Sequence, residues 1–211
     1  MLDKLTVYGF DESTYVRTVR MVLAEKGAVY DLVPVNIMEG EGTVPEHLAR
    51  HPFGKIPVLE HGKKRLYETS AITRYLNDAL PGKSVIPDST MNRARMDMAM
   101  AIHDSYGYGA LIGLAAQHMF PEFVGGKNEQ MRVDCLEKGH LVLTEQMKLR
   151  GDSPWIAGAD LSLADLFLAP ACFYVSLTED AAQAFDVPGF ADWWTRAQGL
   201  DSFNSTAFDM G

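Results

Sequence analysis

Three short stretches of the 211-residue chain put hydroxyl and acidic side chains where a helix would begin: Ser13-Thr14, Glu68-Thr69-Ser70, and Ser162-Leu163-Ala164-Asp165. The first turn of a helix carries N–H groups with no intrahelical acceptor and the positive end of the helix dipole. A hydroxyl or carboxylate there either caps the helix or helps to seat an anion. The third stretch has the Ser-x-x-Asp spacing of a capping box and opens an almost wholly apolar run, 162–177, so Asp165 reads as scaffold rather than as a catalytic acid. The other two stretches are compatible with both uses. Metal chemistry is not indicated, because the two cysteines, Cys135 and Cys172, form no CxxC and no metal-like His/Cys spacing. The same two residues give no disulfide framework, which fits a reducing compartment.

The elements that must position these residues fall into two regimes. In residues 1–80, Lys4–Tyr8 alternates like a strand, Tyr15–Lys26 has helical spacing and stops at Gly27, and Tyr30–Val35 reads as a second strand. Pro45–Arg50 is a short helix with Pro at its first position. Pro57–Glu60 and Arg65–Tyr67 flank a Gly-containing turn and form a hairpin. Thr69 or Ser70 then caps a helix carrying Ile72, Tyr75, Leu76 and Leu80. A helical crossover makes the first two strands parallel, and the hairpin is antiparallel. Leu80–Asp88 is the clearest linker, and 89–211 reads as helix: 91–119, 130–149, 162–177 and 188–196, the last with Trp193 and Trp194 as packing residues. A net charge of −9, from 19 basic and 28 acidic residues, disfavours nucleic acid and anionic membrane as partners and leaves room for a local basic pocket. The stretch MLDKLTVYGFDEST does not read as a signal peptide, and no stretch approaches a membrane span.

Phe53-Gly54-Lys55-Ile56-Pro57-Val58-Leu59, Leu66-Tyr67-Glu68-Thr69-Ser70-Ala71-Ile72 and Trp155-Ile156-Ala157-Gly158-Ala159-Asp160-Leu161-Ser162-Leu163-Ala164-Asp165 together resemble the glutathione S-transferase family, in order and spacing, over most of the chain. The resemblance implies a thioredoxin-like α/β domain over 1–80 that binds glutathione, followed by an all-helical domain over 89–211 that contributes an electrophile pocket. It implies a cis Ile56–Pro57 bond, which turns the Ile56 N–H and C=O sideways to pair with the cysteinyl residue of glutathione like an edge strand. Glu68 then meets the ligand's ammonium group. Thr69, where the family usually has serine, and the free N–H groups of the first turn meet its carboxylate.

The segment Val7–Tyr15 resembles the serine-type classes (phi, theta, zeta), whose catalytic serine falls on Ser13. Thr14 is a second candidate and Tyr8 a rival. With no histidine within sequence reach, Ser13 acts as a hydrogen-bond donor to the thiolate rather than as a base or nucleophile. One departure stands out. The phi pattern has a His-Lys pair contacting the glycine end of glutathione, and here those positions read Gly42-Thr43. Lys55 is the first substitute, with His51 and Arg50 behind it. His103, Asp104, Tyr106, Tyr108 and Met119 are candidates for the electrophile pocket. The expectation is therefore a cytosolic glutathione transferase, a homodimer by resemblance, with glutathione as cosubstrate, an apolar electrophile, and no metal or nucleotide. Rivals are a glutathione-dependent isomerase, dehalogenase or ether-cleaving enzyme, and a non-catalytic binding module of the same fold.

Overall fold

The computed structural model describes residues 3–208, so the outermost ends of both expected domains, 1–2 and 209–211, lie outside the described residues. The elements run β1 (Leu5–Tyr8), α1 (Thr14–Glu25), β2 (Asp31–Val33), α2 (Pro45–Leu48), β3 (Val58–His61), β4 (Lys64–Tyr67) and α3 (Thr69–Ala79), then α4 (Thr90–Ile102), α5 (Tyr108–Met119), α6 (Glu129–Arg150), α7 (Leu163–Ser176), α8 (Ala181–Ala184), α9 (Phe190–Gln198) and α10 (Asp201–Ser205). Contacts divide the chain into two compact units. One runs to Ser84 and takes back the segment that starts at Asp201; the other is Val85–Leu200.

The first unit is a four-stranded sheet of order β2-β1-β3-β4, with β1 parallel to β2 and antiparallel to β3, and β3 antiparallel to β4. This thioredoxin-like sheet follows from the pattern of short strands around a helical crossover. Val7, Val58 and Leu59 from the strands, Val16, Val19, Met21 and Leu23 from α1, and Ile72 and Leu76 from α3 are all fully buried. Gly9 lets β1 run close under α1, since a Cβ there would overlap the Val16 side chain.

In the second unit α7 is the central helix, buried along nearly its whole length and packed on α4 and α5. Phe185, Phe190, Trp193 and Trp194 form a contiguous aromatic cluster. Among the described residues no helix is long and apolar enough to cross a membrane.

Three features differ from the sequence-based expectation. The domain expected over 89–211 gives up its end: α10 packs on α1, where the buried Arg17 donates from Nη2 to the Phe203 carbonyl at 2.9 Å and lies 4.2 Å from that residue's ring centroid. A buried guanidinium needs acceptors, and the returning tail supplies the Phe203 carbonyl and the Thr206 hydroxyl oxygen. The long helix expected over 91–119 is interrupted by a π-helical segment, His103–Gly107, between α4 and α5. The residue at the capping position of α3 is Glu68, and Thr69 is the first helical residue rather than the cap.

Candidate functional site

The strand register gathers the candidate residues of the first unit at one end of the sheet. Val58, the first residue of β3, lies opposite Tyr8 at the end of β1 and opposite Tyr67 at the end of β4. The segment leading to Ser13, the Ile56–Pro57 pair and the Glu68–Thr69 pair therefore leave the sheet side by side. Residues far apart in sequence meet because two antiparallel registers share one residue.

The mouth of α3 has an unusual backbone. Glu68 sits at φ +70°, ψ 115°, the one described non-glycine residue with positive φ. Such a conformation costs about 1–3 kcal/mol and persists where the surroundings impose it. Here Tyr67 is paired in the sheet and Thr69 is already helical, so the reversal falls on the single residue between them. Among the described residues no side chain caps α3. Its first intrahelical bond is from the Ile72 N–H to the Glu68 carbonyl, 2.9 Å, which leaves the N–H groups of Thr69, Ser70 and Ala71 without intrahelical acceptors. Thr69 is buried, whereas the Glu68 side chain is 63% exposed.

Beside this mouth the Ile56–Pro57 bond is cis. Among the described residues neither the N–H nor the C=O of Ile56 has a hydrogen-bond partner, so this one pair of main-chain groups stands open as on an edge strand. The preceding loop is anchored by the buried His47, whose Nε2 lies 2.9 Å from the Lys55 carbonyl oxygen. The Lys55 side chain is exposed. Gly42 and Gly54 pack backbone to backbone: a Cβ on Gly42 would stand 2.5 Å from the Gly54 carbonyl oxygen, and one on Gly54 would stand 2.6 Å from that of Gly42. Contact this close excludes a basic side chain at position 42, and the Thr43 hydroxyl is turned to the Gly40 carbonyl, 2.8 Å.

The two weaker substitutes for a basic contact are otherwise engaged. Arg50 is ion-paired with Glu46 at 2.5 Å and lies 4.4 Å from the Tyr8 ring centroid. His51 is 2% exposed; its Nδ1 lies 3.3 Å from the Phe53 N–H, and its Nε2 faces Glu68.

At the start of α1, Ser13 is the N-cap, with Oγ accepting from the Val16 N–H at a long 3.4 Å. The Ser13 hydroxyl proton finds no acceptor among the described residues. The Tyr8 hydroxyl donates to Glu60 at 2.9 Å, and burial together with that bond pushes its phenol up, the wrong direction for a group that is to stabilise an anion. The Thr14 hydroxyl oxygen, one residue further into the helix, is buried with no partner among the described residues.

In the second unit, Asp165 is fully buried. Its Oδ1 accepts from the Ile156 N–H and the Trp193 Nε1–H, each at 2.9 Å, and its Oδ2 from the Ser162 N–H at 3.0 Å and hydroxyl at 2.8 Å. That is the capping box, closed by a tryptophan that sequence spacing could not have announced. His103 is buried against Phe167 and Tyr108, and burial drives its imidazole down to about 4. It is a packing residue, unlike the exposed Asp104 and Tyr106 beside it. Among the described residues no group of three His, Cys, Asp or Glu side chains is placed to hold a metal ion.

The family model for the glutathione S-transferase N-terminal domain matches residues 3–78. The chain is 33% identical to glutathione S-transferase 4 of Zea mays over 92% of this chain and 86% of the relative. Its fold is similar to that of glutathione transferase F7 from Populus trichocarpa, with a TM-score of 0.87 and 28% identity over 96% of this chain and 97% of the other. A glutathione transferase homolog from Drosophila mojavensis, solved with bound glutathione, has a TM-score of 0.82 and 26% identity over 98% of this chain and 92% of the other.

Proposed function

Since this chain belongs to the glutathione S-transferase family and is a glutathione transferase, we propose that Ser13, Lys55, Ile56, Pro57, Glu68 and Thr69 form its working site, with Ser13 as the catalytic donor. The observation that carries this reading is the mouth of α3: an uncapped helix start, with Glu68 held at positive φ next to the open main chain of Ile56. A zwitterion fits there. The ligand's α-carboxylate takes the free N–H groups and the Thr69 hydroxyl, where the helix dipole also favours an anion. Its ammonium group takes the Glu68 carboxylate. The cysteinyl residue pairs with Ile56, held in that orientation by Pro57. Lys55, exposed beside Gly54, takes the glycine carboxylate in place of the side chain that Gly42 has no room for.

The chemical step needs the bound thiol as thiolate. A free thiol has a pKa of about 8.5, and lowering it by about two units takes roughly 2.7 kcal/mol. The dipole at the start of α1 supplies about 0.3–1 kcal/mol. A hydroxyl hydrogen bond to the anion adds roughly 1.5–3 kcal/mol, and the two together cover the need. The Ser13 hydroxyl, with its proton uncommitted, is the donor. The thiolate then attacks an electrophilic carbon of an apolar substrate, forming a C–S bond and expelling the leaving group. A cytosolic homodimer that clears electrophiles is the wider part of the proposal. The large exposed face of Phe53, 73% accessible, supports an interface.

Ultraviolet titration of the thiolate band of bound glutathione tests the step. Ser13→Ala is expected to raise the thiol pKa by about 1–2 units, the equivalent of one lost charged hydrogen bond. Thr14→Val is expected to leave it unchanged. The reverse result would transfer the role to Thr14.

A further inference from the structure

We propose that His51 is a positioning residue for the ammonium seat: its Nε2–H steadies the Glu68 carboxylate at the mouth of α3, so that the carboxylate stands ready for the ammonium group of glutathione. The inference rests on the reading of Glu68 as the ammonium acceptor and adds a residue behind it.

Four observations lead there. First, the tautomer is fixed. The Phe53 N–H donates to His51 Nδ1 at 3.3 Å, so the neutral ring carries its proton on Nε2. Second, that nitrogen lies 3.9 Å from Glu68 Oε1. The gap exceeds a hydrogen bond and closes with a small rotation of the exposed Glu68 side chain. Third, the ring cannot wander. His51 is 2% exposed, with the Tyr67 ring centroid at 4.8 Å and that of Phe53 edge-on at 6.1 Å. Fourth, Glu68 makes no capping bond to α3, so its own helix does not orient it.

The charge state suits the role. Glu68 from the mouth of α3, His47 from α2 and Lys55 from the loop act electrostatically on His51, and the Tyr67 phenol ring packs against it. Burial is the largest influence and lowers the imidazole pKa. At neutral pH the ring is a neutral donor, which orients the carboxylate without setting a second cation beside the incoming ammonium. Tyr67, the residue before Glu68, packs on the same ring, so one imidazole braces both the strand end and the acid.

A double-mutant cycle on the full-length protein tests this, with glutathione affinity read by calorimetry and kinetics read as a KM–kcat split. His51→Phe keeps the ring bulk and loses the donor. It is expected to raise the glutathione Kd and KM about three- to fivefold, the range for a partly exposed charged contact, with kcat at saturating glutathione changed less than twofold. His51→Gln retains an N–H donor and is expected to stay within about twofold of wild type. In a Glu68→Gln background, His51→Phe should add less than about twofold, because coupled residues are not additive. Deamino-glutathione, which lacks the ammonium group, should bind wild type and His51→Phe alike. Wild-type affinity in His51→Phe, or an equal loss in the Glu68→Gln background or with the deamino analogue, would overturn the positioning role. His51→Leu carries the same expectation if the phenylalanine does not fit. An unchanged affinity in Glu68→Gln alone would instead overturn the ammonium seat itself.

Discussion

At the start of α7, Asp165 is sealed from solvent and every bond it makes is to the chain itself. At the start of α3, Glu68 is mostly exposed, its backbone is at positive φ, and the helix behind it has no side-chain cap. Both regions place an acid and a hydroxyl at a helix opening. The first spends its polar groups on the fold, and nothing is left over for a ligand. The second leaves helix N–H groups without intrahelical acceptors and a carboxylate exposed, with a residue at positive φ between them and the sheet. Polar satisfaction, rather than residue type, separates scaffold from candidate site.

The largest expected effect comes from cutting the scaffold. Asp165→Ala leaves the N–H groups of Ser162 and Ile156 and the Trp193 indole buried without their acceptor, and is expected to cost about 3–5 kcal/mol, measured by urea unfolding. Glutathione affinity of the folded fraction should be unchanged. A loss under about 1 kcal/mol would mean that other groups take over the capping.

The next effect is a pH dependence of the same helical unit. His103 is buried neutral, with a pKa depressed to about 4 from an ordinary value of about 6.5. Between those values the unfolded chain binds a proton that the folded chain excludes, so stability rises with pH across that window. The contribution is full above about pH 6.5 and is lost as the pH falls toward 4, a loss of about 3 kcal/mol. Unfolding free energies measured above the window, at about pH 7.5, and near its lower end, at about pH 4.5, check this, and His103→Leu should flatten the difference.

At the site, Thr69→Val removes a hydroxyl from the proposed carboxylate seat. The expected loss is roughly 1.5–3 kcal/mol in glutathione binding, tenfold or more in Kd by calorimetry, with little change in stability. An unchanged Kd would remove Thr69 from the site.

The smallest effect falls on the strained residue itself. Glu68→Gly is expected to leave stability unchanged or raise it by up to about 1 kcal/mol, because glycine adopts positive φ without strain. The same change should weaken glutathione binding. A scaffold position loses stability when altered; a site position built on strain does not.

Much of this was legible in the chain. The Ser-x-x-Asp spacing announced the α7 cap, Gly62 between two short apolar runs announced the β3–β4 hairpin, and Gly27 marked the end of α1. The resemblance placed the remaining candidates. These features depend on contacts within a few residues, where sequence order nearly fixes spatial order.

Tertiary structure decided the rest. Thr69 looked like a cap, but the Val58–Tyr67 register forces the chain to reverse on Glu68, and the cap falls one residue earlier. His51 reads as a substitute behind Lys55 for the glycine end; in the fold its Nδ1 takes the Phe53 N–H, its ring packs on Tyr67 and its Nε2 faces Glu68. Gly42 read as a missing contact, and is instead half of a backbone contact with Gly54. The tail after α9 reads as part of the helical domain, and α10 instead packs on α1, where the buried Arg17 donates to the Phe203 carbonyl. Each of these depends on which distant segment supplies an acceptor, a ring or a wall. Sequence spacing determined how each segment would fold locally; strand register and the pairing of buried polar groups determined which segments met.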